Sequence, residues 1–204
     1  KSQTDKEGKT VILYASNIDE QDSYIKVAES KGYKVLLLDS PIVPHLIQKL
    51  ESKKENISFA RVDSDSIDNL IKKEDNIISK LDDKEKDKLK TYIEAVVPKE
   101  KYTIQLEALD SKELPFIITQ PEFMRRMKDM QQSGGNNMFG SMPEIHNVII
   151  NVNNDLVNTI FNSKSKAKRE RLIKQSLDLA RLSQNLLKGE ELTSFVKRSF
   201  DIIK

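Results

Sequence analysis

TVILYASNIDEQDSYIKVAESKGYKVLLLD, residues 10–39, decides the fold of the first part of the chain. Thr10–Ala15 and Lys34–Asp39 are short apolar runs rich in β-formers. Between them, Asp22 to Lys31 carries Tyr24, Val27 and Ala28 at helical spacing and stops at Gly32, a residue suited to ending a helix. Strands joined through a helix run parallel, so the stretch reads as a βαβ unit. Working outward, the turn at Pro41 and Pro44 leads into a helix marked by Leu46, Ile47 and Leu50, and Ile57–Val62 reads as a third strand. The resulting compact α/β module closes near Ile71.

Lys72 to Asp83 is polar and reads as a linker or interdomain helix. Beyond it, a helix from about Asp82 to Val97 is ended by Pro98, Tyr102, Ile104 and Leu106 alternate as a half-exposed strand, and Phe116–Thr119 reads as its partner. Asn147–Val152 is a third strand, and helices occupy the remainder. The expected organisation is therefore a small α/β/α sandwich over 1–75, followed over 76–204 by an α+β domain with a small sheet and a C-terminal helical bundle.

Composition narrows the function classes. The 204 residues are 32% charged and 37% hydrophobic, with a net charge of +2 and no Cys. No apolar run approaches a membrane span, and neither a disulfide framework nor a thiolate metal site is available. No secretory signal stands at the start, so a cytoplasmic location is expected, and a chain that begins Lys1-Ser2 reads as a fragment. The densest charge run, Asp82 to Lys88, mixes signs as a solvated helix start does, whereas a nucleic-acid site would show one sign with interleaved aromatics. After the first strand, Ala15–Asp19 lacks both a Gly-rich phosphate cradle and a Gly-Lys-Ser/Thr sequence. His45 and His146 fall in different modules without a Ser, Cys or carboxylate constellation, so no catalytic residue is expected. A purely structural α/β protein, or a small-molecule enzyme module built on the first βαβ unit, stands as the alternative.

All five methionines lie between Pro121 and Glu144. Thr119 or Gln120 can cap a helix starting at Pro121, and Glu122 suits its positive end. Phe123, Met124, Met127 and Met130 share one face of that helix; Arg125, Arg126, Lys128 and Asp129 fill the other. Ser133–Asn137 is a flexible break before Met138, Phe139 and Met142. The stripe can pack into its own domain or present a deformable apolar contact to variable partners, for which unbranched, polarizable Met is suited. A Cu(I) thioether site has the same spacing, but there is no Cys here and three cations share the helix, so no metal is expected. Burying a Met stabilises by roughly 1.5–3 kcal/mol and ordering its side chain costs up to about 2 kcal/mol, so such a helix gains little by packing at home and contact with partners is favoured.

From Ser165 the apolar pattern sharpens. Leu172, Ser176, Leu179, Ser183 and Leu186 recur at 4,3,4,3 spacing beside a stripe that includes Ile173, Leu177, Ala180 and Leu187. After Gly189, Leu192, Phe195, Val196, Phe200 and Ile203 make another broad face. Both faces can pack on the chain's own sheet, or the two helices can meet a symmetry mate in a four-helix bundle.

The order of these parts resembles the C-terminal half of bacterial heat-shock protein 90, the HtpG chaperone family, over essentially the whole chain. The resemblance is carried by Gly32–Leu38, Phe59–Asp63, Pro121–Met130 with Gly134-Gly135, His146–Leu156, Leu177–Ala180 and Phe195–Arg198. It implies a fragment joining the last α/β subdomain of the middle segment to the dimerisation domain. The two terminal helices, with Leu172, Leu179, Leu186, Leu187, Leu192, Phe195, Val196, Phe200 and Ile203, would form a homodimer bundle. Phe123, Met124, Met127, Met130, Met138, Phe139 and Met142 would contact non-native client proteins. ATP and Mg would belong to an absent N-terminal domain of the parent, leaving this fragment with no cofactor and no ATPase activity, and no nucleic-acid or membrane partner is implied.

Overall fold

The computed structural model describes residues 3–5, 7–71, 77–127 and 145–203, with the backbone alone given for 202 and 203. In chain order, β1 (Thr10–Ala15), α1 (Ile18–Ser30), β2 (Val35–Leu37), α2 (Val43–Lys53), β3 (Ile57–Arg61) and α3 (Ile67–Ile71) come first. Next are α4 (Asp83–Glu94), β4 (Tyr102–Glu107), β5 (Phe116–Thr119) and α5 (122–127). The remaining elements are β6 (His146–Asn151), α6 (Asp155–Asn162), α7 (Lys166–Ser183) and α8 (Gly189–Ile203). The chain is mixed α/β, as its sequence predicts, and divides into two compact units: 1–76 with 119–144, and 77–118 with 145–204.

In the first unit the strand order is β2-β1-β3, all parallel, with Leu13 opposite Val35 and Ile12 opposite Phe59. The chain moves outward from β1 to β2 and back past β1 to β3. Right-handed crossovers therefore put α1 and α2 on opposite faces of the sheet. The side-chain alternation of β1 matches: Tyr14 packs with Val43, Ile47 and Phe59 on the α2 side, whereas its neighbours Leu13 and Ala15 are buried with the other set. Helix α1 begins at Ile18 rather than at Asp22, because Asn17 caps it, accepting from the Asp19 and Glu20 amides. It ends where Gly32 takes a positive φ of 80°.

The second unit has strand order β4-β6-β5. Phe116–Thr119 is thus not the partner of the Tyr102–Leu106 strand. β6 lies between them, pairing parallel with β4 in the register Ile104 opposite Val148. The reason is burial: Val148, Ile149 and Ile150 are all fully buried, as a strand covered on both faces requires, whereas β4 alternates. Leu89 and Ile93 of α4, Ile160 of α6, and Ile173 and Leu177 of α7 complete this core. A capping box between Asp82 and Glu85 starts α4.

Three asparagines, Asn151 at the end of β6 and two just after it, tie loops to the sheet. Asn151, fully buried, accepts from the Leu109 and Asn153 amides and donates to the Asp110 carbonyl at 2.7 Å. Asn153 accepts from the Lys80 amide at 2.8 Å and donates to the Ile78 and Leu109 carbonyls. Asn154 caps α6 and donates to the Glu113 carbonyl.

The sequence reading put every residue from 76 onward in the second module. Residues 119–144 instead group with the first. The cause is polar: the Gln120 amide donates to the Asp63 carbonyl, and two arginines of α5 reach β1, α2 and β3. Apolar periodicity carries no record of such bonds.

Candidate functional site

Helix α5 opens on the Pro121 carbonyl, which accepts from the Arg125 amide, so Pro121 precedes the first turn rather than occupying it. Thr119 cannot be the cap: it is buried in β5 and its hydroxyl makes no hydrogen bond. The sequence put Arg125 and Arg126 on the side of the helix opposite the methionine stripe. The structure turns that face inward.

Arg125 is only 4% exposed, and its Nη2 donates to the Tyr14 hydroxyl and, at 2.6 Å, to Glu122. Its guanidinium also lies 5.6 Å from the centre of the Tyr14 ring. Arg126 donates to Glu122 at 2.7 Å, to both oxygens of Glu51 on α2 at 2.8 and 3.3 Å, and to the Phe59 carbonyl of β3 at 2.8 Å. Glu51 in turn accepts from the Phe59 amide at 2.8 Å. Glu122 is the shared acceptor. Burial by itself pushes its carboxyl up, but the bonds and charges of Arg125 and Arg126 together outweigh burial and hold it below the usual carboxylate range. Burial, with the Glu122 charge behind it, pushes the Tyr14 hydroxyl up to about 12.

With the arginines turned in, Phe123 is left 71% exposed, while Met124 and Met127 are half-buried. Met130, Met138, Phe139 and Met142 lie outside the described residues.

A set of polar bonds joins the carboxy-terminal helices. Gln175 donates to Ser199, Arg198 donates to Gln175 at 2.9 Å and to Asp178 at 2.5 Å, and Arg181 bonds both Asp178 and Glu191. Partners move toward the start of α8 as one moves along α7, so the pair is antiparallel. The hydrogen bond from Arg181 holds the Glu191 carboxyl below its ordinary range.

The broad apolar faces of these helices divide. Leu187 and Phe195 are buried in the chain's own fold, and Leu172 and Leu186 pack at the edge of the second unit's core. Leu192 is half-buried. Leu179, Val196 and Phe200 stand 50%, 42% and 63% exposed, and Leu182, which the sequence did not single out, joins them. The side chain of Ile203 lies outside the described residues.

His45 is exposed on α2, and His146 sits on β6 with its ring 6.3 Å from that of Tyr102. Among the described residues there is no cluster of three or more His, Cys, Asp or Glu side chains able to hold a metal, and no helix long and apolar enough to cross a membrane. Sequence reasoning missed Tyr14, Glu51 and Glu122 as the anchors of α5. The Glu122 pairs at i+3 and i+4 are a legible helix signal; those from α5 to Tyr14 and Glu51 have no local signature.

The described residues thus hold a parallel α/β unit that secures a Met-bearing helix by its polar side, and an α+β unit ending in an antiparallel helix pair. Comparison with known proteins gives the family. A chaperone protein HtpG of Bacteroides thetaiotaomicron is 33% identical in an alignment covering 99% of this chain and 40% of that protein. The HtpG of Porphyromonas gingivalis is 38% identical over 93% of the chain and 28% of its own length, and that of Bacteroides fragilis is 31% identical over 99% and 40%. No family model matches the chain. The chain belongs to the HtpG chaperone family and corresponds to the C-terminal part that its motifs resemble. It spans between 28% and 40% of the length of these relatives.

Proposed function

We propose that this chain is the homodimerisation and client-binding part of an ATP-dependent cytoplasmic chaperone, with α7 and α8 as the dimer contact and α5 with the residues after it as the client surface. One observation carries the reading. Large apolar side chains remain exposed on these same elements, Phe123 on α5 and Leu179, Leu182, Val196 and Phe200 on α7 and α8, while their polar partners are bound inward. An isologous contact would cover the second set, and non-native chains would meet the first. Catalysis has no place in this fragment: the nucleotide site and its Mg belong to the rest of the parent, and this chain has no ATPase activity.

Sedimentation equilibrium tests the association. The chain should be a dimer, and Phe200→Glu, a change at an exposed position, should make it a folded monomer. A parent chain that stays monomeric at high concentration would overturn the dimer assignment.

A further inference from the structure

The chain carries its sulfur in methionine alone, for it has five Met and no Cys. All five stand from Met124 to Met142, and the two that the structure describes, Met124 and Met127, lie on α5. A thiolate is ordinarily the first group in a protein to meet a peroxide; here the thioethers have no such competitor.

The bonds that hold α5 do not use them. They run from Arg125 to Tyr14 and from Arg126 to Glu51 and the Phe59 carbonyl, with Glu122 as the acceptor both arginines share, and the Gln120 amide adds one to the Asp63 carbonyl. Each of these partners is a nitrogen or an oxygen. Met124 and Met127 are half-buried, Phe123 is 71% exposed, and Phe123 and Met127 stand one helical turn apart, so solvent reaches this side of the helix. The arrangement changes what oxidation of a methionine does. In a helix packed by its apolar side, a sulfoxide puts a polar group into a close-packed core and costs fold stability. In α5 the attachment stays as it is, and what changes is the side left for contact.

We propose that Met124 and Met127 are a reversible oxidation site, at which hydrogen peroxide turns the contact side of α5 from apolar to polar without releasing the helix. The effect on clients rests on the client-surface reading of α5; the chemistry at sulfur does not. In the step, a sulfur lone pair attacks one peroxide oxygen, and the O–O bond breaks as the S–O bond forms. The departing hydroxide takes the proton from the transferred oxygen and leaves as water. Sulfur gives up two electrons and the peroxide accepts them. A thiol-driven methionine sulfoxide reductase returns two electrons and two protons, and the oxygen leaves as water. Reduced Met is flexible, apolar and polarizable, whereas a sulfoxide must shed water before it can meet an apolar partner.

Treatment of the chain with hydrogen peroxide tests this, read by peptide mass spectrometry, hydrogen exchange and binding of a labelled, permanently unfolded protein. Met124 and Met127 should each gain one oxygen at a rate within about tenfold of free N-acetylmethionine. Slower oxidation would mean closed sulfurs and would overturn the site. Exchange at residues 122–127 should stay within about threefold of the reduced chain; faster exchange would show that α5 depends on its methionines after all. Affinity for the unfolded protein should fall about tenfold or more, the loss expected when the burial of an apolar side chain is forfeited, and sulfoxide reductase should restore it. Met124→Leu combined with Met127→Leu removes both sulfurs and keeps the face apolar. Whatever its starting affinity, its fall on peroxide should be at least about threefold smaller than the parent's, and a lesser difference would overturn the assignment to these two residues. A reduced chain that binds no unfolded protein would refute the client reading and the switch with it, whereas binding that survives full oxidation would refute the switch alone.

Discussion

Replacing Arg126 by Ala removes the centre of the α5 attachment. The change deletes four hydrogen bonds: to Glu122, to both oxygens of Glu51, and to the Phe59 carbonyl. All four are charge-assisted and three run to carboxylates, a class that contributes about 1.5–3 kcal/mol each when well formed. They are not independent, since one guanidinium makes them all, and solvent reaches the group: the side chains of Arg126 and Glu51 are 29% and 25% exposed. Discounting for both gives a loss of about 3 kcal/mol for α5 on the first unit. That is roughly a 100-fold rise in the population with α5 released. Hydrogen exchange of residues 122–127 should therefore accelerate by about that factor, with little change in the second unit. Arg126→Lys keeps the charge but loses the planar fork, and should fall between. A double-mutant cycle with Glu51→Ala isolates the pair, for which a coupling above about 1 kcal/mol is expected. Exchange in Arg126→Ala within about threefold of the parent would refute the reasoning, because it would mean the fork holds nothing.

Acid should also release α5. The Glu122 carboxyl is held below its ordinary value, so its contribution to stability is complete above the unfolded value of about 4.3 and is lost as pH falls through the folded value beneath it. Urea midpoints of the first unit should drop below about pH 4, and Glu122→Gln should flatten that part of the profile. Phe195→Ala, at a buried position, should destabilise the second unit by about 3–4 kcal/mol, unlike Phe200→Glu, which should cost association and leave the urea midpoint of the monomer nearly unchanged. Asn151→Ala strands the Leu109 and Asn153 amides and should cost about 2–4 kcal/mol in urea unfolding; a loss under about 1 kcal/mol would show that water replaces the side chain. Met124→Glu combined with Met127→Glu should weaken binding of an unfolded protein while sedimentation still shows a dimer, and equal affinity before and after would falsify the client assignment.

The strands and helices of both units are readable because their apolar residues keep the periods of their elements. What resisted reading has particular causes. The order of the second sheet was available in principle: Val148–Val152 is interrupted only by Asn151, the pattern of a strand covered on both faces, while Tyr102–Leu106 alternates. The orientation of α5 was not available. Periodicity leaves open which side of an amphipathic helix meets its own fold, and here bonds from Arg125 to Tyr14 and from Arg126 to Glu51, far apart in sequence, draw the polar side inward. The tail shows a third kind of limit. Leu187 and Phe195 point into the fold and Leu179 and Phe200 to solvent, although all belong to the same broad apolar arcs. Periodicity finds the arc; only the neighbouring helix divides it.

The placement of β6 in the centre of its sheet bears on how the chain is made. During synthesis β4 and β5 leave the ribosome first, and neither has the other as a hydrogen-bonded neighbour. Both must wait for residues 146–151, and the loops at Ile78, Lys80 and Leu109 wait for Asn151 and Asn153. The first unit has its three strands early, but α5 is added only after residues 77–118 have been made. Until β6 arrives, the nascent second unit exposes unpaired strand edges and apolar side chains from Leu89 to Ile118. For that interval a member of a chaperone family is itself a non-native chain of the kind that needs one.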